Sequence, residues 1–395
     1  MKQTILVINS GSSSVKFSLF DTTTRDVVVS GVAEELGTPR ARITFKQNGE
    51  KLVEPMKNGN HADTLRRIFS ELDARGLKQS VEAIGHRVAH GADEFSDSVL
   101  IDNQVLQKIE QTIPLAPLHA PANLAGIRAA LKVMPDLPQV AVFDTAFHQT
   151  MPEYARRYAV PESWYDAGVR RYGFHGTSYQ FVATEAAKLL HIPLKKSAFV
   201  IAHLGNGASL AAVLNGRSVD TTMGFTPLEG VPMGTRSGDI DPSVVPYMME
   251  RLGVSADKVL EILNKDSGHL GVSGLSSDFR DLENAAGQGN RRAQLAMEVF
   301  AFRVAKAVAA MMVSLPRVDA LIFTAGSGER GPIQRQLIAN HLAVFGYHID
   351  RAKNDATWGK QGVISADGTP LMMVIPTNEE LMIALDTIKL VNAKK

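Results

Sequence analysis

Several side chains stand where their chemistry can be used. Asp144 directly follows the apolar run "QVAVF", and Arg87 lies between His86 and His90 in "GHRVAHG". His175 sits in "RYGFHG", and Arg236 and Asp239 belong to "MGTRSGD". Arginine forks with nearby histidines suit an anion whose charge spreads over several oxygens in the transition state. A carboxylate at the end of a strand can do acid–base work or simply cap the next segment. The two histidines of "GHRVAHG" do not make a zinc helix, because position 87 is Arg where H-E-x-x-H requires Glu. Read as a strand, the segment puts His86, Val88 and His90 on one face, and Arg87 with Ala89 on the other.

Glycine-rich turns add a second theme. "ILVINSGSSSVKF" (Ile5–Phe17) runs an apolar strand into Gly11 and four serines and leaves through Lys16, without the G-x-x-x-x-G-K-[ST] spacing of a P-loop. Five polar turns, 9–14, 203–209, 233–239, 326–331 and 376–380, are expected directly after apolar strands. Strand ends are where α/β sheets bind ligands, and successive backbone N–H groups cradle anions, so the five together predict a phosphorylated ligand. "GSGERG" (326–331) also matches G-x-G-x-x-G, with Asp350 at a fitting distance, which opens a nicotinamide oxidoreductase as the alternative. The match is short and lies far toward the C-terminus.

These residues need a scaffold. The chain has 395 residues, 45% of them hydrophobic, enough for two or three domains with large cores. A net charge of +1 gives no electrostatic case for a nucleic-acid or membrane partner. The absence of cysteine excludes disulfides and thiol catalysis. No secretory leader pattern is seen, and "VAKAVAAMMVSL" (304–315) reads as a buried helix because Lys306 interrupts it; a cytoplasmic protein is expected. Strand-like and helix-like segments alternate in a βββαβαβα order. The strand–turn–strand pattern at Ile5 returns at Phe199, which predicts an internal duplication and a shared cleft.

The motifs "NSGSSSVKF", "GHRVAHG", "PLAPLHAP", "VFDTAFH", "RYGFHGTS", "HLGNGAS", "PLEGVPMGTRSGDIDP", "SGLSSDFRDL", "FTAGSGERGP" and "VIPTNEE" together resemble the acetate/propionate kinase (acetokinase) family, from about residue 4 to 388. The resemblance implies the α/β fold of the actin, heat-shock protein 70 and sugar kinase superfamily (ribonuclease H-like): two duplicated βββαβαβα domains around an interdomain cleft. It implies an N-terminal domain of residues 1–148 with the C-terminal helix 380–395, a nucleotide-binding domain of 149–379, and a homodimer. The implied reaction converts ATP and a short-chain carboxylate reversibly to an acyl phosphate and ADP, with Mg2+, or Mn2+ in its place.

By the same resemblance Asn9 and Glu379 are linked to the metal, and Asp144, His175 and Arg236 are catalytic. Arg87 anchors the carboxylate, His119 supports it, and Ala89, Leu118, Phe174 and Pro227 line the alkyl pocket. Ser14, Lys16, His203, Leu204, Gly205, Asn206 and Gly207 are on the phosphate side. Asp278, Phe279, Arg280, Gly326, Ser327, Gly328, Glu329 and Arg330 are on the nucleoside side. Arg330 stands where the family commonly has Asn, Ala120 where Asn is common, and His269 where an apolar residue is usual. Ala89 is the smaller choice at a place often Val in acetate-preferring members, which predicts acceptance of propionate and keeps a propionate-preferring kinase as an alternative. A non-catalytic ATP-binding scaffold is disfavoured because Arg87, Asp144, His175 and Arg236 are all present.

Overall fold

The structure, a computed structural model, describes residues 3–116 and 119–394. The chain forms two compact units, Met1–Gln149 with Asn378–Lys395, and Thr150–Thr377. The first is built on eight strands: β1 (Thr4–Ser10), β2 (Val15–Asp21), β3 (Val27–Glu34), β4 (Arg42–Gln47), β5 (Glu50–Pro55), β6 (Val81–Val88), β7 (Val99–Leu100) and β8 (Gln139–Phe143). Their order across the sheet is β5-β4-β3-β2-β1-β6-β8-β7. β1 is apolar on both sides because both sides are covered. Leu6 and Ile8 join a core with Leu65, Ile68, Phe69 and Leu72 of the helix His61–Ala74. Ile5 and Val7 face the opposite way, into a core with Ile383, Ala384 and Val391 of the helix Glu379–Lys394. The helix His61–Ala74 starts at a capping box between Asn60 and Asp63.

The second unit carries β9 (Ala198–Leu204), β10 (Ala208–Leu214), β11 (Arg217–Thr221), β12 (Ala320–Thr324), β13 (Gly362–Val363) and β14 (Met372–Val374), ordered β11-β10-β9-β12-β14-β13. Strand order and direction repeat those of β3-β2-β1-β6-β8-β7: two antiparallel pairings, two parallel ones, then an antiparallel edge. This is the internal duplication, to which the first unit adds β4 and β5. The helix Arg291–Val313 packs Phe300, Val304 and Val308 into the core of the second sheet. Among the described residues no helix is long and apolar enough to cross a membrane.

Three buried histidines give the fold a pH dependence. Burial holds His86, His90 and His269 at a pKa of about 4, against roughly 6.5 in an unfolded chain. Between those values the unfolded chain binds protons that the folded one does not, so stability falls as pH drops through that window. Each contributes a slope of about 1.4 kcal/mol per pH unit. Tm measured by calorimetry should be level from about pH 7 to 8 and fall steeply between about pH 6.5 and 4. An unchanged Tm at about pH 5 would contradict this.

Candidate active site

In the first unit three polar side chains sit at the C-terminal ends of adjacent parallel strands: Asn9 on β1, Arg87 on β6, and Asp144 one residue beyond β8. The Asp144 N–H extends the ladder by donating to the Val88 carbonyl at 3.0 Å. Arg87 grips Asp144 with both arms of its fork, Nε to Oδ1 at 3.0 Å and Nη2 to Oδ2 at 2.5 Å, and reaches Asn9 Oδ1 at 3.4 Å. The Asp144 carboxylate is thus committed to an arginine; it is not a helix cap. Burial pushes Asp144 up, and the charge of Arg87 opposes that shift. Burial also pushes Glu379 up, with Arg87 and then Lys16 as the opposing cations and Glu380 as an adverse neighbour. His119 adds a favourable charge toward Asp144. The Asn9 amide and the Glu379 carboxylate are hard oxygen donors of the kind Mg2+ takes. Among the described residues no cluster of three His, Asp or Glu could hold a metal. An ion with two protein oxygens would take water and phosphate oxygens for the rest of its ligands.

The second unit gathers His175, His203 and Arg236 around the turn between β9 and β10. His175 takes a left-handed backbone, φ 59°, at the start of the helix Gly176–Leu189. Its Nδ1 pairs with Ser209 Oγ at 2.8 Å, and that hydroxyl also meets the Tyr179 hydroxyl at 2.5 Å. The His203 ring stacks on His175 with centroids 4.0 Å apart, and its Nδ1 is 2.9 Å from Ser178 Oγ. A methyl group built on Gly207 would lie 3.5 Å from His175 Nε2 and 3.7 Å from Arg236 Nη1, so both side chains converge on that turn. Arg236 is held by the Pro227 carbonyl at 3.1 Å and by the Met233 sulfur. It has no carboxylate partner among the described residues, and burial lowers its pKa. A half-buried cation with no carboxylate partner among the described residues, beside a histidine and a glycine turn, can receive an anion.

Next to this turn lies a cavity of about 640 Å³. Gly205, Asn206, Gly326 and Ser327 form one wall. Asp278, Phe279 and Arg280 form another, and Arg330 with Trp358 a third. The Arg330 guanidinium lies 5.8 Å from the centre of a Trp358 ring. A polar turn flanked by flat aromatic surfaces suits a nucleotide, with phosphates toward Gly205 and the base against the rings.

The comparisons with known proteins decide the family. The model of the Acetokinase family matches residues 4–385. The chain belongs to the acetokinase family. The acetate kinase of Geobacillus sp. (strain WCH70) is 50% identical over 393 residues, 98% of this chain and 99% of that protein. Among solved structures, a propionate kinase from Francisella tularensis subsp. tularensis SCHU S4 superposes with a TM-score of 0.94 at 46% identity, over 98% of this chain and all of that one. The Porphyromonas gingivalis acetate kinase gives 0.93 at 43% identity, with the same coverage. The fold is therefore the α/β fold of the acetate and propionate kinases.

Several residues that the acetokinase resemblance singles out are placed differently from a simple reading of their motifs. The stretch Ala325–Arg330 is a short helix rather than a loop, and Asp350 caps the helix Arg351–Ala356 by accepting from Lys353 N at 3.0 Å. Both have local explanations, and the nicotinamide alternative has no support among the relatives. Glu329 is buried, and its Oε1 accepts from the backbone N–H groups of Ala325 at 2.8 Å and Thr377 at 3.1 Å. It shapes the turn from behind. The Gly328 carbonyl accepts from buried Arg335 at 2.9 Å. Leu204 is core. Asp278 caps the helix Phe279–Gly287 and pairs with exposed Arg280 at 2.6 Å. Ser14 gives its carbonyl to Gly11 N at 2.8 Å, and Lys16 stands opposite Asn9 in the β1–β2 ladder. Ala89 is buried with its N–H on Asn123 Oδ1, and Phe174 is core. Leu118 lies outside the described residues. The turn 233–239 does not follow a strand. Trp358 and Glu283 line the nucleotide-like cavity without belonging to any motif.

Proposed function

We propose that this chain transfers the γ-phosphoryl group of ATP reversibly to acetate, and also to propionate, giving the acyl phosphate and ADP by direct in-line displacement. The observation that carries this reading is Arg236, a half-buried guanidinium without a carboxylate, converging with His175 Nε2 on the Gly207 turn. The acceptor carboxylate is already ionised at neutral pH, so no strong base is needed. The chemistry then reduces to positioning and to charge stabilisation of a metaphosphate-like species. Arg236 takes the equatorial oxygens and His175 adds a hydrogen bond. Arg87 anchors the acceptor, with Asp144 and Asn9 holding its fork in place, and His119 supports it. Lys16, Ser14 and the turn 203–207 serve the phosphates; the walls carrying Asp278–Arg280 and Gly326–Arg330 serve the nucleoside. Asn9 and Glu379 would hold Mg2+, or Mn2+ in its place, which neutralises phosphate charge when bound. Residues 1–148 with 380–395 form the carboxylate-side domain and 149–379 the nucleotide domain. The same family reading makes the protein a cytoplasmic homodimer.

Trapping with hydroxylamine tests this directly. Mg-ATP with acetate should yield hydroxamate, and so should propionate, with kcat/KM within a few tens of that for acetate. The buried methyl side chain of Ala89 leaves room for one further methylene, a difference of about 1–3 kcal/mol in such pockets. No hydroxamate from acetate, propionate or butyrate would end the carboxylate kinase reading.

A further inference from the structure

The two stacked histidines of the second unit are held in matching ways. His175 Nδ1 pairs with the Ser209 hydroxyl at 2.8 Å, and that hydroxyl meets the Tyr179 hydroxyl at 2.5 Å. His203 Nδ1 pairs with the Ser178 hydroxyl at 2.9 Å, and that hydroxyl meets the Thr377 hydroxyl at 2.8 Å. The partners are exchanged between segments. Ser178 and Tyr179 lie in the first turn of the helix that His175 opens, while Ser209 faces His203 across the β9–β10 ladder. Tyr179, Ser178 and Ser209 are buried, where the low dielectric strengthens such bonds.

The other ring nitrogen of each histidine borders the glycine turn. A Cβ on Gly207 would lie 3.5 Å from His175 Nε2, and one on Gly205 would lie 3.7 Å from His203 Nε2. The same Gly207 position is 3.7 Å from Arg236 Nη1, so a charged His175 would stand against a cation; the neutral ring is favoured. A neutral imidazole carries one N–H, and the bond at one nitrogen decides what the other offers. A hydrogen on Nδ1 would leave a lone pair at Nε2, which repels phosphoryl oxygens. A hydrogen on Nε2 attracts them. The hydroxyls make the choice. Phenol is the stronger acid of the two and the better donor, so Tyr179 donates to Ser209. The single Ser209 proton then goes to Nδ1, and the ring hydrogen is left on Nε2.

We propose that Tyr179 and Ser209 are positioning residues that fix His175 as the Nε2–H tautomer, so that it presents a neutral, directed donor to the transferring phosphoryl group. This rests on the carboxylate kinase reading of the site. The His203 ring, 4.0 Å away and within 16° of parallel, is the platform that sets the plane of His175, and Ser178 with Thr377 anchors that platform. Arg236 supplies the charge at the turn. His175 adds a hydrogen bond without adding a second cation to repel it.

Nitrogen NMR of protein labelled at its histidines reads the tautomer directly. The His175 signals, identified as those lost in His175→Gln, should show a bare, pyridine-type Nδ1 and a protonated, pyrrole-type Nε2. Ser209→Ala should mix the two tautomers and lower kcat about 10- to 100-fold, less than the roughly 10² to 10³ lost with a donor itself. The KM values for ATP and acetate should stay within a few-fold. Tyr179→Phe, which disturbs the packing least, should act in the same direction by a smaller factor. Ser178→Ala, which takes the equivalent hydroxyl from His203, should leave the His175 pattern in place. A protonated Nδ1 at His175 in the active, unmodified protein overturns the proposal, as does an unchanged kcat in both Ser209→Ala and Tyr179→Phe. Mixing in Ser178→Ala as large as in Ser209→Ala would mark a general loosening and overturn it too. Failure of the kinase reading shows separately: no hydroxamate from the unmodified protein ends that reading, and the donor role with it, whatever the tautomer.

Discussion

Arg236→Ala lowers the kcat for acyl phosphate formation by about a thousandfold or more and leaves the KM for ATP within a few-fold. The magnitude reflects the work of the side chain. Removing one preorganised donor from a developing oxyanion costs about 10² to 10³, and an arginine acting on a transferring phosphoryl group is worth about 10³ to 10⁵. Arg236 is preorganised in this sense. Its Nη1 is fixed by the Pro227 carbonyl and the Met233 sulfur, with no carboxylate among the described residues to divert its charge. The effect falls on kcat because Arg236 does not line the cavity assigned to the nucleoside. Arg236→Lys keeps the charge but loses the fork, and is expected to recover only part of the loss. Initial rates of hydroxamate formation across both substrates measure this; activity within tenfold of the unmodified protein would remove Arg236 from the transition state.

Asp144→Asn gives the second large effect, of a different kind. The amide keeps the size and one acceptor oxygen but not the charge that balances Arg87. With Asp144 neutral, Arg87 is left to Asn9 and to the charge of Glu379, and its fork loses the bidentate grip that sets its plane. The KM for the carboxylate should rise and kcat should fall by about 100-fold, the scale on which a mispositioned substrate slows a reaction. Asp144→Ala should also cost stability. Breaking a buried pair costs about 3–5 kcal/mol, and the partial exposure of Arg87 reduces this to about 2–3 kcal/mol. Calorimetry and steady-state kinetics on the two variants separate the charge from the packing. Activity near the unmodified level in Asp144→Asn would deny Asp144 any essential role.

Much of the scaffold was legible because its signals are local. Leu65, Ile68, Phe69 and Leu72 recur at helical spacing, and all four are buried on the helix His61–Ala74. The unbroken apolar run of β1 announces a strand covered on both faces. Other features depend on partners far along the chain. β5 is almost wholly exposed and has no apolar signature; it exists because β4 offers it an edge. The stretch 326–331 reads as a turn by its glycines, yet Ala325–Arg330 winds into a helix whose first N–H is held by Glu329. Within the site, Arg87 and Asp144 could each be suspected from their strand-end positions. Their pairing across 57 residues follows from the parallel register of β6 and β8, which no local pattern reveals. Glu283 and Trp358 carry no motif and become visible only as walls of a cavity.

The last helix has a consequence for how the protein is made. Glu379–Lys394 belongs to the unit that the first strand begins, and it covers Ile5, Val7, Ala83 and Val142. The fit is close: a Cβ on Gly85 would meet Thr387 Oγ1 at 2.4 Å and Ile383 Cγ2 at 2.8 Å. On a ribosome the first sheet emerges early, but its covering helix appears only after all of residues 150–377 have been synthesised. At about 5–20 residues per second, that face of the sheet stays bare for more than about ten seconds while the second unit, continuous in sequence, can fold on its own schedule. The order of completion is therefore inverted relative to the order of synthesis. The nascent chain spends that interval with an open apolar surface, where chaperones would act and where aggregation would begin.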